Sequence, residues 1–134
     1  MRAWVVERPG PIDEHPLVLV ERGDPEPGSG EIRVRVEVCG VCRTDLHLAE
    51  GDLTPRHPNV VPGHEIVGVV DAIGPGATRF AIGARVGIAW LRHTCGVCAY
   101  CRRGDENLCV APAFTGWDHD GGYAEYAVVD ENFA

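Results

Sequence analysis

Two tetrapeptides of identical letters, Cys39-Gly40-Val41-Cys42 and Cys95-Gly96-Val97-Cys98, hold four of the six cysteines in this chain. The second copy continues into Cys101 and Cys109, so that four thiols are separated by two, two and seven residues. Four thiolates in one short segment can wrap a tetrahedral ion, and a shell of four cysteines suits zinc and leaves no position open. The spacing fits no ferredoxin pattern, which puts structural zinc ahead of an iron–sulfur cluster. A loop of unrelated, unshielded thiols would be an oxidation liability. The segment offers little apolar material, so metal binding would supply much of its folding energy.

The first copy is followed by different letters: Arg43-Thr44-Asp45-Leu46-His47, and later Gly63-His64-Glu65. Three readings fit. Cys39 and Cys42 could form a redox dithiol. They could belong to an all-cysteine knuckle, although the later cysteines already make a full set. Or Cys42 and His64 could be two ligands of an open site that keeps room for water or substrate, as catalytic zinc does.

These residues need a scaffold. Short strands are expected at Arg2–Glu7, Leu17–Glu21, Glu31–Val38, Ile66–Ile73, Arg85–Trp90 and Tyr123–Val129, with Gly and Pro between them. In Glu31–Val38 the residues Ile32, Val34, Val36 and Val38 alternate with Arg33, Arg35 and Glu37, the period of a half-buried strand. Thr44–Ala49 reads as one or two helical turns, with Thr44 as N-cap and Gly51 as the stop. The stretch from His93 to Pro112 is Cys-rich and strand-poor. The fold class is therefore mainly β, a barrel or sandwich with few short helices. Trp4 and Trp117 are candidates for the core. Gly74-Pro75-Gly76 is not a nucleotide loop: Arg79 stands where a third glycine belongs, and no helix pattern follows.

The chain has 134 residues, 45% hydrophobic and 24% charged, with a net charge of −8. That is one domain's length. The negative charge argues against a nucleic-acid partner and against an anionic membrane surface. No apolar run reaches membrane-spanning length and the N-terminus lacks a signal-peptide core, so a cytoplasmic location is expected, where cysteines serve metals or catalysis before disulfides.

Taken together, Cys42-Arg43-Thr44-Asp45-Leu46-His47, Gly63-His64-Glu65 with Gly68 and Gly74, the four-cysteine lobe and Asp120-Gly121-Gly122-Tyr123-Ala124-Glu125-Tyr126 resemble the N-terminal domain of zinc-dependent alcohol dehydrogenases, in the medium-chain dehydrogenase/reductase superfamily. The resemblance covers essentially the whole chain. It implies a GroES-like β-barrel over residues 1–134, with a structural zinc lobe inserted at about 92–112. It also implies ligand roles at a catalytic zinc for Cys42 and His64, with Glu65 an acidic neighbour able to approach the metal. Asp45 would orient His64, a role with a clear physical basis. Thr44 would take the alcohol proton, His47 would stand at the outer end of the relay, and Arg43 would contact the cofactor pyrophosphate. Trp90 falls at an aromatic wall of the substrate pocket.

The implied reaction interconverts a primary or secondary alcohol and its aldehyde or ketone, with hydride passing to NAD or NADP. In the intact enzyme the resemblance implies one structural and one catalytic Zn2+, and a homo-oligomer. Family members carry a nucleotide-binding domain and a further cysteine ligand beyond the segment matched here. No dinucleotide fingerprint occurs in these residues, so the chain is expected to fold but not to turn over alcohol alone, and to hold zinc more tightly at the lobe than at Cys42–His64. Leu53, where yeast-type members carry a bulky aromatic, would admit larger alcohols. The non-enzymatic alternative is a stand-alone zinc-stabilised binding module. Cys39 reads as a strand-end bystander, and His15, His57, His93 and His119 as loop or surface residues.

Overall fold

The computed structural model describes residues 1–134. The chain forms β1 (Arg2–Val6), β2 (Leu17–Glu21), β3 (Glu31–Cys39), α1 (Arg43–Glu50), β4 (Ile66–Ile73), β5 (Arg85–Ile88), β6 (Leu91–His93), α2 (Ala99–Arg103), β7 (Ala113–Phe114) and β8 (Tyr126–Asp130). All strand pairs are antiparallel. The central sheet has the order β5-β4-β3-β8, and two-stranded ribbons are formed by β1-β2 and β6-β7. The mainly β fold class matches the expectation from the Val- and Ile-rich, Gly-punctuated sequence.

One face of the central sheet carries the main core: Ile32, Val34, Ile66, Val70, Val86, Ile88, Ala127 and Val129. A buried Val or Ile side chain stabilises the fold by about 1.5–3 kcal/mol relative to exposure. Across the sheet, Arg33 holds Asp71 on β4 through two guanidinium nitrogens, and its guanidinium lies 5.0 Å from the centroid of the Tyr126 ring on β8. Three strands are thereby tied by one side chain. A smaller core of Val6, Leu48, Ala49 and Val60 seats α1 against β1, with Leu53 and Trp117 at its edge.

Four details differ from the sequence expectation. The alternation in β3 fails at its end: Val38 is 55% exposed. Register shifts between Arg33 and Val34, and between Val36 and Val38, turn the strand, so the period-two pattern cannot stay in phase. The strand expected at Arg85–Trp90 breaks after Ile88, and the chain leaves the sheet to start the β6-β7 ribbon. The strand expected from Tyr123 begins only at Tyr126; residues before it bind elsewhere, through Trp4 N–H donating to the Tyr123 carbonyl and an Ala3–Ala124 bridge. Trp4 is not in the core: it is 47% exposed, on the outer face of β1.

The Gly74-Pro75-Gly76 turn is also explained. Glu131 is buried, and its carboxylate accepts hydrogen bonds from the N–H groups of Thr78 (2.8 Å) and Arg79 (2.6 Å). A side chain of the protein thus fills the place an anion would take. Gly74 permits the turn, since a Cβ there would run into the Gly28 carbonyl oxygen.

Candidate metal centres

The β6-β7 ribbon presents a lobe in which Cys95, Cys98, Cys101 and Cys109 converge, with ligand atoms all within 4.8 Å of one another. Sulfur separations are 3.5 Å for Cys98–Cys101 and 4.0 Å for Cys95–Cys101. Tetrahedral zinc with Zn–S bonds of about 2.3 Å requires sulfurs roughly 3.8 Å apart. The lobe therefore fits a zinc ion. The local chain explains why. Cys98 is the N-cap of α2, and its sulfur accepts from Cys101 N–H. Gly104 ends that helix at φ 85°, which turns the chain back toward Cys109. Cys109 Sγ accepts from the N–H groups of Cys95 (3.3 Å) and Ala111 (3.4 Å). Backbone N–H groups of Cys101 and Val110 lower the Cys98 thiol to about 6, whereas desolvation and neighbouring thiols push Cys101 up to about 11.

The second cluster joins Cys42, His64 and Glu65, whose ligand atoms also lie within 4.8 Å. Three elements bring them together. Cys42 follows β3 and is the N-cap of α1, at φ −109° and ψ 157°. This corrects the expectation for Thr44, which lies inside the helix. The cap works because Asp45, three residues on, accepts from Cys42 N–H at 2.9 Å. Gly51 does end the helix, at φ 91°. His64 and Glu65 sit just before β4. Gly40 lies against them: a Cβ there would displace the Glu65 carboxylate from its present position.

Asp45 is 5% exposed and receives four groups. Its Oδ1 accepts from Gly63 N–H (2.9 Å) and lies 3.3 Å from His64 Nδ1. That nitrogen is buried and has no aligned hydrogen-bond partner, so its contact with Asp45 is chiefly electrostatic in this conformation. Oδ2 accepts from Cys42 N–H and from the Tyr123 hydroxyl at 3.0 Å. Asp45 raises the pKa of His64 against the opposing effect of burial. Burial disfavours the Asp45 carboxylate, but its interaction with His64 and its hydrogen bonds from Cys42 and Gly63 win and hold its pKa below the ordinary value. The Cys42 thiol is lowered by Thr44 N–H, the Thr44 hydroxyl and His64. A thiolate and an oriented imidazole beside a flexible carboxylate form a donor set suited to zinc.

An apolar cleft of about 720 Å³ opens beside His64 and Glu65, lined by Ile66, Ile88, Trp90 and Phe133 among others. Trp90 presents its indole to His64 edge-on, with centroids 4.8 Å apart. Phe114 (4.7 Å) and Trp117 (6.1 Å) stack with Trp90 in turn, and Arg56 lies 4.3 Å from the centroid of the Trp117 ring.

The other sequence-selected residues divide. Thr44 Oγ1 is 3.8 Å from Cys42 Sγ, within the cluster. His47 is 40% exposed and bonds Asp52 through Nδ1 at 3.0 Å; no hydrogen bond joins it to Thr44. Arg43 makes no salt bridge and lines a second apolar cavity of about 360 Å³ with Cys42 and Leu46. Cys39 is half-buried at the end of β3, and burial pushes its thiol up to about 11, which disfavours a reactive dithiol with Cys42. His15, His93 and His119 are exposed. Sequence reasoning missed the role of Tyr123. Its motif was visible, but no periodicity links residue 123 to residue 45.

A mainly β domain with one four-thiol cluster and one open Cys–His–Glu cluster at an apolar cleft, both able to hold a metal ion, has the features of the GroES-like class. Comparison with known proteins makes this specific: the chain belongs to the alcohol dehydrogenase GroES-like domain family, whose profile matches residues 28–134. It is 57% identical to "Probable alcohol dehydrogenase AdhA" of Mycobacterium tuberculosis (strain CDC 1551 / Oshkosh), over all of this chain and 40% of that protein. It is 48% identical to an alcohol dehydrogenase of Geobacillus stearothermophilus, over 94% of this chain and 36% of that one. Among solved structures, a thermostable alcohol dehydrogenase from Pyrobaculum aerophilum superposes with a TM-score of 0.92 at 37% identity, covering 100% of this chain and 40% of that one. The chain thus spans about two-fifths of the length of these relatives.

Proposed function

We propose that residues 1–134 form the zinc- and substrate-binding domain of an NAD(P)-dependent alcohol dehydrogenase, with the structural zinc lobe at about 92–112. The observation that carries this reading is the convergence of Cys42, His64 and Glu65 at the mouth of an apolar cleft. Cys42 and His64 hold a catalytic zinc, and Glu65 is the third, exchangeable ligand. Cys95, Cys98, Cys101 and Cys109 hold a second, structural zinc. Zinc at the open site supplies Lewis acidity that lowers the pKa of an alcohol hydroxyl.

The remaining work falls to the chain's own side chains. Asp45 fixes the ring of His64 through Nδ1, leaving the other nitrogen for the metal. The Thr44 hydroxyl, beside Cys42, receives the alcohol proton. His47, one helical turn further and open to solvent, stands at the outer end of the proton path, with its ring held by Asp52. Trp90 and the apolar residues beside it exclude water and hold the carbon skeleton of a primary or secondary alcohol, or of the corresponding aldehyde or ketone. Arg43, unpaired within the domain, is placed for a cofactor pyrophosphate.

Hydride transfer needs a nicotinamide, and these residues contain no dinucleotide fingerprint. The 134-residue polypeptide alone is therefore expected to bind metal without oxidising alcohols; robust NAD-linked turnover by it would overturn that expectation. Cobalt substitution tests the site itself. A second cobalt in an open environment, with a spectrum that responds to alcohol-like ligands, supports the dehydrogenase domain. A single cobalt in the four-thiolate lobe would instead favour a stand-alone zinc-stabilised binding module.

A further inference from the structure

We infer that Tyr123 is a positioning residue of the open metal site: its hydroxyl fixes the Asp45 carboxylate, and through it the ring of His64. The inference rests on the reading of Cys42 and His64 as metal ligands.

An ionised carboxylate accepts at about four lone-pair sites. Asp45 meets four groups: it accepts hydrogen bonds from Gly63 N–H at Oδ1 and from Cys42 N–H and Tyr123 Oη–H at Oδ2, and His64 Nδ1 lies 3.3 Å from Oδ1. Three of these groups move with the ligands they would have to hold. Cys42 N–H belongs to a ligand, His64 Nδ1 to the other, and Gly63 precedes His64 directly. Only Tyr123 comes from elsewhere, 78 positions along the chain from Asp45.

Its own backbone is pinned on two sides. Tyr123 N–H donates to the Pro62 carbonyl at 3.0 Å, and its carbonyl accepts from Trp4 N–H at 2.8 Å. The ring is wedged against Gly63, whose hypothetical Cβ would stand 2.6 Å from Tyr123 Cδ1. A residue with φ 94° and no side chain is therefore needed at position 63 for the hydroxyl to reach Asp45. Gly121 is held just as closely, its Cα facing the Gly63 carbonyl with no room for a Cβ. Tyr123 thus ties the carboxylate to β1 through Trp4 as well as to the segment just before His64. Without the hydroxyl, Oδ2 keeps only Cys42 N–H, and every remaining partner of the carboxylate belongs to the ligand segments. A metal-bound histidine whose outer partner is loosened loses affinity, typically by ten- to a hundredfold.

The test is cobalt titration of the 134-residue chain against a competing chelator, comparing the unaltered protein with Tyr123→Phe. The two sites differ in thiolate number, so their absorption bands separate. The Phe ring keeps the packing against Gly63 and removes only the hydroxyl. We expect the dissociation constant at the Cys42–His64 site to rise about tenfold while the four-thiolate site is unchanged. Tyr126→Phe, whose ring lies under Arg33 and away from Asp45, is expected to alter neither. Equal affinity in Tyr123→Phe would overturn the inference. So would parallel weakening of both sites, or an equal loss in Tyr126→Phe, since either would mark a general structural effect. Uptake of only one cobalt by the unaltered chain is a different failure: it overturns the underlying reading of the open site.

Discussion

The lobe around Cys101 and the site around Cys42 draw on the same tetrapeptide and build opposite things. In the lobe, sulfur faces sulfur, and backbone N–H groups from within the same short segment support the thiolates. Nothing is left open. At Cys42, one sulfur meets an imidazole, a carboxylate and an apolar cleft. Its supports come from distant parts of the chain, gathered by Asp45. The difference teaches that ligand type is a local property of a sequence, whereas ligand orientation is a property of the fold.

The largest expected effect breaks the comparison outright. Cys101→Ser removes one thiolate from a closed shell whose metal binding, in zinc-finger peptides, amounts to about 10–16 kcal/mol. The lobe should lose its metal and its amide-exchange protection, while the Cys42–His64 site keeps its affinity. Mass-resolved hydrogen exchange and metal content measure both. Loss of both metals at once would show that the two regions are not independent.

The two copies of the motif should also differ as nucleophiles in the metal-free chain. Cys98 is lowered to about 6 and Cys39 is raised to about 11. At neutral pH the thiolate fractions then differ by roughly ten thousandfold, and the weaker nucleophilicity of a low-pKa thiolate offsets part of this. Alkylation of Cys98 about a hundredfold faster than Cys39, mapped by mass spectrometry, is the expected result. The same shift has a stability consequence. Cys98 binds its proton less well folded than unfolded, so its contribution is present above the ordinary thiol range and is lost as pH falls through about 6. Denaturant titrations of the metal-free chain on either side of that pH would detect it.

Asp45→Asn sharpens the contrast from the other side. It keeps the shape and removes the charge opposite His64. Metal affinity at the open site should fall ten- to a hundredfold, with the lobe unaffected. A change smaller than twofold, read by competitive chelation, would count against an orienting role. The smallest effect concerns the aromatic stack behind Trp90. Arg56→Ala removes the cation over Trp117 and should cost about 0.5–1 kcal/mol of stability, measured by denaturant unfolding, without touching either metal site.

Much of this was legible in the letters, and for identifiable reasons. The lobe was readable because its ligands are neighbours in sequence. The strand ladder of β3 and β4 was readable because burial on one face imposes a period of two, up to the bulges that expose Val38. The N-cap was misplaced by two residues because Cys42 is not among the usual capping types; its place follows from Asp45 reaching back. Trp4 was misjudged because a large apolar residue carries no signal of which face of a two-stranded ribbon it occupies. The Asp45–Tyr123 bond had no sequence signature at all, since nothing in local pattern reports a contact across 78 positions.

That separation also sets the length of loop that folding must close. Cys95 and Cys109 lie 14 positions apart, against 78 for Asp45 and Tyr123. Closing the longer loop first would cost about 1.5 kcal/mol more in chain entropy. The lobe's loop is therefore the cheaper one to close, while the Asp45 junction also needs the segment before β8 to reach α1. A time-resolved probe at Tyr123 is expected to report a later step than a probe in the lobe.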